Sequence, residues 1–395
     1  MKRLSALLIM LLLLLGTVPA PAAEQSCLVP RGRPYENTFS DVPDGLWCAP
    51  YVRTVYETRL MEGFTQDRFL PGGNLTNAQI TVVAARLYDL LTGGDGEIPA
   101  PADGESWYRG AYDLLADAGV LAQNTPGEQH TGLLWYDFQA ADPCFRFFFA
   151  AVLSATVRAA GAELPALNEV ERIYDLTGEE EDFPDILRFY NAGILNGCDR
   201  YGGLHGSSRL TRGEASAMLS RIVDPAQRLT FTLPGLDLCA DVLCLAPDSP
   251  VLTVGGESFT AQQFAYDLCL GLSQSARPED GLDFGVIRMK RTVAISRLGR
   301  EQGLTPDSSA EYLLEHWDGY LGLSRSAWQW QAERDSYYVP LLRAYAERYG
   351  DKLYLAKLES DLDAQCAQLT VGFSAQFEAL DLDALYQRAK ELNIG

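Results

Sequence analysis

The chain has 395 residues, with 53 acidic side chains against 32 basic ones and a formal net charge of −21. That length allows two or three domains and a sizeable core. Charge of that sign repels phosphate backbones, so nucleic acid is excluded as a partner, and any bound anion needs a local cationic pocket.

The first element is MKRLSALLIMLLLLLGTVPAPA, residues 1–22. Lys2 and Arg3 precede an apolar run to Leu15, and Ala20-Pro21-Ala22 offers small residues for cleavage. This reads as a secretory signal peptide, with too short an apolar run for a membrane span. Glu24-Gln25-Ser26 before Cys27 does not suit lipid attachment. A secreted chain with no membrane partner after cleavage is therefore expected. Export permits disulfides among the eight cysteines. Cys239 with Cys244, Cys27 with Cys48, and Cys144 with Cys198 are the expected pairs, and buried thiols are the alternative. His130, His205 and His316 are scattered and no CxxC pair occurs, so no metal or cofactor is expected.

An internal repeat follows. From Thr38 to Leu91 the pattern is Phe39-x-Asp41, then Trp47, a helix through Tyr51 and Val55, Leu60-Met61-x-Gly63, a Gly/Pro loop, and a second helix from Thr76. A degenerate second copy keeps the spacing, since Trp107 precedes Gln123 as Trp47 precedes Gly63. There Asp142 takes the place of Thr76, and Ala150-Ala151 that of Ala84-Ala85. The third copy begins at Phe183-Pro184-Asp185, with Tyr190 to Gly197 spaced as Tyr56 to Gly63. Leu210-Thr211 then matches Leu75-Thr76. One helix–loop–helix unit cannot bury its own apolar face, so three are expected to pack together. The boundaries read as residues 37–91, 104–160 and 169–226.

Three second-helix starts can be read locally. Thr211-x-x-Glu214 and Thr76-x-x-Gln79 are capping boxes. Asp142-Pro143 is expected to cap the middle copy, with proline at the first helical position. Asp41 and Asp185 precede helices and are expected to cap them. Gly63 and Gly197 are expected to supply a bend or a close approach. Arg212 is unexplained by capping, because a cation at a helix N-terminus opposes the macrodipole. A bound anion would reverse that sign.

The strings F-S-D-V-P…W-C-A-P-Y-V…L-M-E-G-F…F-L-P-G-G-N-L-T-N-A-Q and I-L-N-G…R-L-T-R-G-E-A-S-A-M-L resemble the S-layer homology (SLH) repeat. The resemblance covers residues 37–224, about half the chain by the boundaries above. It implies binding to an acidic secondary cell-wall polymer, often one with ketal-linked pyruvate, and gives Arg212 the role of anion ligand beside Thr211 and Glu214. Asn77 and Pro143 stand where the other copies would carry that arginine. Trp47 and Trp107 are candidate platforms for sugar rings, with burial in the core as the alternative.

From residue 233 the character changes. SPVLTVGGESFT reads as a strand, a Gly255-Gly256 turn and a cap at Thr260-x-x-Gln263, followed by a helix. Further helices are expected over residues 286–302, 312–321, 327–350, 352–366 and 382–392, with one starting at Thr305-Pro306 and a strand over 373–377. V-L-T-V-G-G-E-S-F-T and A-I-S-R-L-G-R-E-Q-G-L-T-P resemble the helical part of PrsA- and SurA-type foldases, without their isomerase domain. Tyr312, Trp317, Tyr320, Trp328, Trp330, Tyr337, Tyr338, Tyr345 and Tyr349 crowd this half, as a core or as a cradle for unfolded chains.

G-x-S-x-G, H-E-x-x-H and the P-loop are absent, so no enzyme is expected. The resulting expectation is a mainly α protein: a pseudo-threefold domain of three SLH repeats, then a mostly helical domain over 233–395. It is a secreted bacterial cell-wall protein whose partners are wall polysaccharide and unfolded or exported proteins. A foldase or holdase, and an SLH-anchored wall hydrolase, are the alternatives.

Overall fold

The computed structural model describes residues 27–121, 139–178, 183–392 and 394. The expected signal peptide lies outside them. Helices dominate, with one three-stranded sheet among the described residues, so the fold is mainly α. Two compact units are formed by Met1–Cys144, Ala155–Leu164 and Leu210–Leu229, and by Phe145–Ser154, Pro165–Arg209 and Thr230–Gly395.

In the first unit α1 (Ala49–Glu57) packs on α6 (Arg212–Val223), and α2 (Asn77–Leu91) packs on α3 (Arg109–Asp117). At their centre the backbones of the three copies close a ring. Leu75 N–H donates to the Leu210 carbonyl (3.0 Å), Leu210 N–H to that of Cys144 (2.9 Å), and Cys144 N–H to that of Leu75 (2.8 Å). All three residues are buried. Each buried donor thereby meets an acceptor that no local structure supplies.

This ring corrects the alignment of the middle copy. Cys144 is the counterpart of Leu75 and Leu210, so Phe145 stands in the place of Thr76 and Thr211. The helix α4 (Arg146–Ala159) begins three residues beyond Asp142-Pro143, which therefore does not cap it. Three residues are nearly one helical turn, so the slip left the alanine face unchanged and was invisible to periodicity. Arg146, not Pro143, is the counterpart of Arg212.

The ends of the first helices also match. Met61, Leu121 and Leu195 N–H donate to the carbonyls of Val55, Leu115 and Phe189, six residues back. Such a closure needs a left-handed residue. Gly119 (φ 73°) and Gly193 (φ 72°) provide it in two copies, and Arg59 (φ 61°) in the first.

In the second unit the sheet has the order β2-β1-β3, from Pro250–Val254 (β1), Glu257–Thr260 (β2) and Val371–Phe373 (β3), all antiparallel. β3 lies earlier than the expected 373–377 and ends at Phe373, because Ser374 caps a short helix, Ala375–Glu378. Gln263 Oε1 accepts the Thr260 N–H at 2.9 Å, starting α7 (Ala261–Gln274), which packs on α8 (Pro278–Glu301). α9 (Ser309–His316) starts later than the expected Thr305-Pro306. α10 (Arg325–Tyr349), α11 (Tyr354–Gln368) and a last helix, Leu382–Leu392, complete the unit. Leu358, Leu362 and Trp328 are sealed in its core, each apolar side chain contributing about 2 kcal/mol. Asp267 is fully buried there. Its carboxylate accepts from Arg288 Nε at 2.6 Å and Gln331 Nε2 at 2.7 Å. Burial pushes its pKa up against the pull of Arg288.

None of the three expected cysteine pairs is a disulfide. Cys239 is buried and its thiol is pushed up to about 12 by burial. Cys198 Sγ lies 3.4 Å from the Leu204 carbonyl.

Candidate functional site

The start of α6 is built as its local pattern requires. Thr211 Oγ1 accepts the Glu214 N–H at 3.3 Å, and Glu214 Oε2 accepts the Thr211 N–H at 2.9 Å. Arg212 and Gly213 follow, and their amides donate to the Gly73 and Pro71 carbonyls, both at 2.8 Å. The helix-end amides to which the sequence reading assigned an anion are thus already bonded within the protein. The Arg212 side chain reaches into the loop of the first copy. Nε donates to the Phe69 carbonyl (2.7 Å), Nη2 to the Glu62 carbonyl (2.6 Å), and the guanidinium carbon lies 4.5 Å from the Phe69 ring centroid. Only 8% of the residue is exposed. Nη1 has no hydrogen-bond partner among the described residues and is not sealed from solvent. Burial lowers the guanidinium pKa, and the Asp41 carboxylate opposes that shift.

Asp41 does not cap α1. Its two oxygens accept the amides of Phe69 and Leu70, each at 2.8 Å, with Arg68 at 3.7 Å. Burial acts to raise its pKa, but these donors outweigh it and hold the carboxyl below the ordinary range. The counterpart in the third copy is Asp175, which holds the amides of Leu204 (2.9 Å) and His205 (2.7 Å). Asp185 instead lies in the first turn of α5 (Phe183–Asn191). The correspondence spans 28–30 residues between acid and amide, beyond any local signal.

Gly63 and Gly197 are close-approach positions. A side chain on Gly63 would meet the Thr65 carbonyl and the Phe39 ring, and one on Gly197 (φ 85°) would meet the Gly202 backbone. Neither offers a functional group.

Trp47 and Trp107 are both 58% exposed, so the core alternative does not hold. Trp47 lies beside Gly213, where an added Cβ would sit 3.3 Å from its ring. Trp107 lines a pocket of about 290 Å³ with Arg59, Glu62, Arg86 and Pro101. Neither Arg59 nor Arg86 forms an ion pair with a described residue. Sequence reading missed both arginines. The signal available was Arg59 in the place that glycine takes in the other copies.

Residues 38–81 match the S-layer homology domain. The chain is also similar to an endoglucanase of Bacillus sp. (strain KSM-635), 30% identical over 127 residues. That stretch is 32% of this chain and 13% of the relative. The chain therefore carries an S-layer homology domain. Such domains bind cell-wall secondary polymers, and this one marks the protein as associated with the cell surface or wall. No described helix is long and apolar enough to cross a membrane.

Proposed function

Starting from the S-layer homology domain, we propose that this protein is a non-enzymatic envelope anchor whose first unit holds an acidic sugar of a wall polymer. The observation that supports this reading is the pocket beside Trp107. Two guanidinium groups without ion-pair partners among the described residues and an exposed indole border it, in a chain of net charge −21. Guanidinium recognises carboxylate, and an aromatic face suits the C–H face of a sugar ring. Trp47, beside Gly213 and so one residue along the chain from Arg212, is proposed as a second platform. Most of Arg212 works as a clasp, so it contributes one donor rather than a bidentate grip. The helical second unit is proposed to carry a protein-binding module.

The endoglucanase similarity covers too little of that relative to bring its activity here. The proposal is tested by co-sedimentation of the secreted chain with purified sacculi, before and after acid extraction of the secondary polymer. Binding that is lost on extraction, and weakened about tenfold or more in Arg59→Ala/Arg86→Ala, is expected. Equal binding to extracted walls would overturn it.

A further inference from the structure

A cavity of the second unit has a different chemistry. It encloses about 580 Å³, and its walls include Phe145, Phe147, Phe148, Tyr266, Tyr320 and His205. Part of the aromatic wall is anchored by its neighbours. Phe147 N–H donates to the Gly206 carbonyl (3.1 Å). Tyr266 and Tyr320 pack on Trp328 at 5.1 and 5.8 Å, and Trp328 is only 1% exposed. The residues that replace Thr-Arg-Gly-Glu in this copy, Phe145-Arg146-Phe147-Phe148, supply three of these rings.

Polar side chains enter the wall from Asp175, Ser207 and His205. Of these, His205 has its backbone amide held by Asp175. Its Nε2 lies 2.7 Å from Asp199 Oδ2, which also accepts the Tyr174 hydroxyl at 2.5 Å. Asp199 Oδ1 accepts the amides of Tyr201 (2.8 Å) and Gly203 (3.2 Å). A carboxylate with this set of donors places the imidazole proton on Nε2. Nδ1 is then a lone-pair acceptor without a partner among the described residues.

This inventory selects the ligand. Among the described residues neither Lys nor Arg lines the cavity, so an anion finds no cationic partner there. The Asp175 oxygens already hold two amides, so a cation finds no open carboxylate. A sugar would leave most of its hydroxyls unsatisfied against walls that are mainly Phe, Tyr, Leu and Ile, at about 1–3 kcal/mol for each. An aromatic ring with a single donor leaves nothing unpaired. The volume exceeds one side chain and leaves room for flanking backbone. We propose that this cavity binds a polypeptide segment through one tyrosine or tryptophan side chain, whose O–H or N–H donates to Nδ1 of His205. The site makes no use of the wall-polymer reading and stands if that reading fails.

The test uses the whole secreted chain and a blocked Gly/Ser heptapeptide with one central tyrosine. Its phenylalanine and serine counterparts and N-acetyltyrosinamide are compared by calorimetry and saturation-transfer NMR. The tyrosine peptide is expected to bind saturably, the phenylalanine peptide about threefold to tenfold more weakly, and the serine peptide without saturation. His205→Asn, in which asparagine tolerates the left-handed backbone at φ 51°, should abolish the tyrosine–phenylalanine difference. Phe145→Ala, at a side chain 51% exposed, should weaken both aromatic peptides equally and guards against a folding defect in the first variant. No saturable binding overturns the proposal, as does equal binding of the serine peptide. Discrimination that survives His205→Asn, or affinity untouched by Phe145→Ala, would also overturn it. N-acetyltyrosinamide binding as tightly as the peptide would overturn the polypeptide assignment.

Discussion

Arg212 and Phe69 are joined twice. The Arg212 Nε donates to the Phe69 carbonyl at 2.7 Å, and its guanidinium packs over the ring of the same residue. A helix start in the third copy thereby fixes a loop in the first, across 143 residues of sequence. A carbonyl and a π-face are each good partners for a planar cation, and the fork needs no carboxylate.

Arg212→Lys keeps the charge and loses the fork. One ammonium cannot reach the Phe69 and Glu62 carbonyls in the same geometry, so one buried acceptor is left unpaired. A loss of about 1–3 kcal/mol is expected. Urea unfolding followed by tryptophan fluorescence should show a lower midpoint at unchanged slope. A midpoint equal to that of the parent would show that the clasp adds no stability.

Arg59→Gly should separate stability from binding. Glycine relieves the left-handed strain at φ 61°, a net gain of about 0.5–1 kcal/mol after its larger unfolded-state entropy. Wall binding should fall nonetheless, because one of the two cations beside Trp107 is removed. A variant that is more stable and binds walls as well as the parent would rule out Arg59 as a ligand.

Trp47→Ala and Trp107→Ala should leave the melting temperature nearly unchanged, since each ring is 58% exposed and exposed substitutions shift stability by about 0.5 kcal/mol or less. Sacculus co-sedimentation should weaken in both, and more for Trp107, whose neighbours include two cations. Unchanged sedimentation in the double variant would remove the aromatic platforms from the reading.

Asp199 sets a pH dependence. Burial opposes its ionisation, but donation from His205, Tyr174 and two amides lowers its pKa to about 2, against an ordinary 3.8. A carboxyl whose folded value is depressed adds stability above its unfolded pKa and loses it as the pH falls through the folded one. The contribution is of order 2 kcal/mol and should disappear between about pH 4 and pH 2. Asp199→Asn should therefore melt lower than the parent at pH 6, and the gap should close toward pH 2. A gap that stays constant over that window would exclude the linkage.

The residue pattern by itself determined whatever is settled within one helical turn or one hairpin. Thr211 with Glu214, Thr76 with Gln79, and β1–turn–β2 were all legible, because their hydrogen bonds join residues at most a few positions apart and compete only with water. The threefold repetition was legible for a similar reason, since buried positions recur where Met61, Leu121 and Leu195 close the same helix end. Tertiary structure decided everything that depends on which surfaces meet. Periodicity could not detect the three-residue slip that made Pro143, rather than Arg146, look like the partner of Arg212. Asp41 looked like a local cap until its oxygens were seen on Phe69 and Leu70. The aromatics of the second half share one composition but divide by packing: Trp328 is sealed in the core, while Tyr312 is 54% exposed. Arg212 shows the limit most clearly. Its place at a helix start could be read from three neighbouring residues, but its partners are two carbonyls on a distant loop, and backbone carbonyls leave no mark in a sequence.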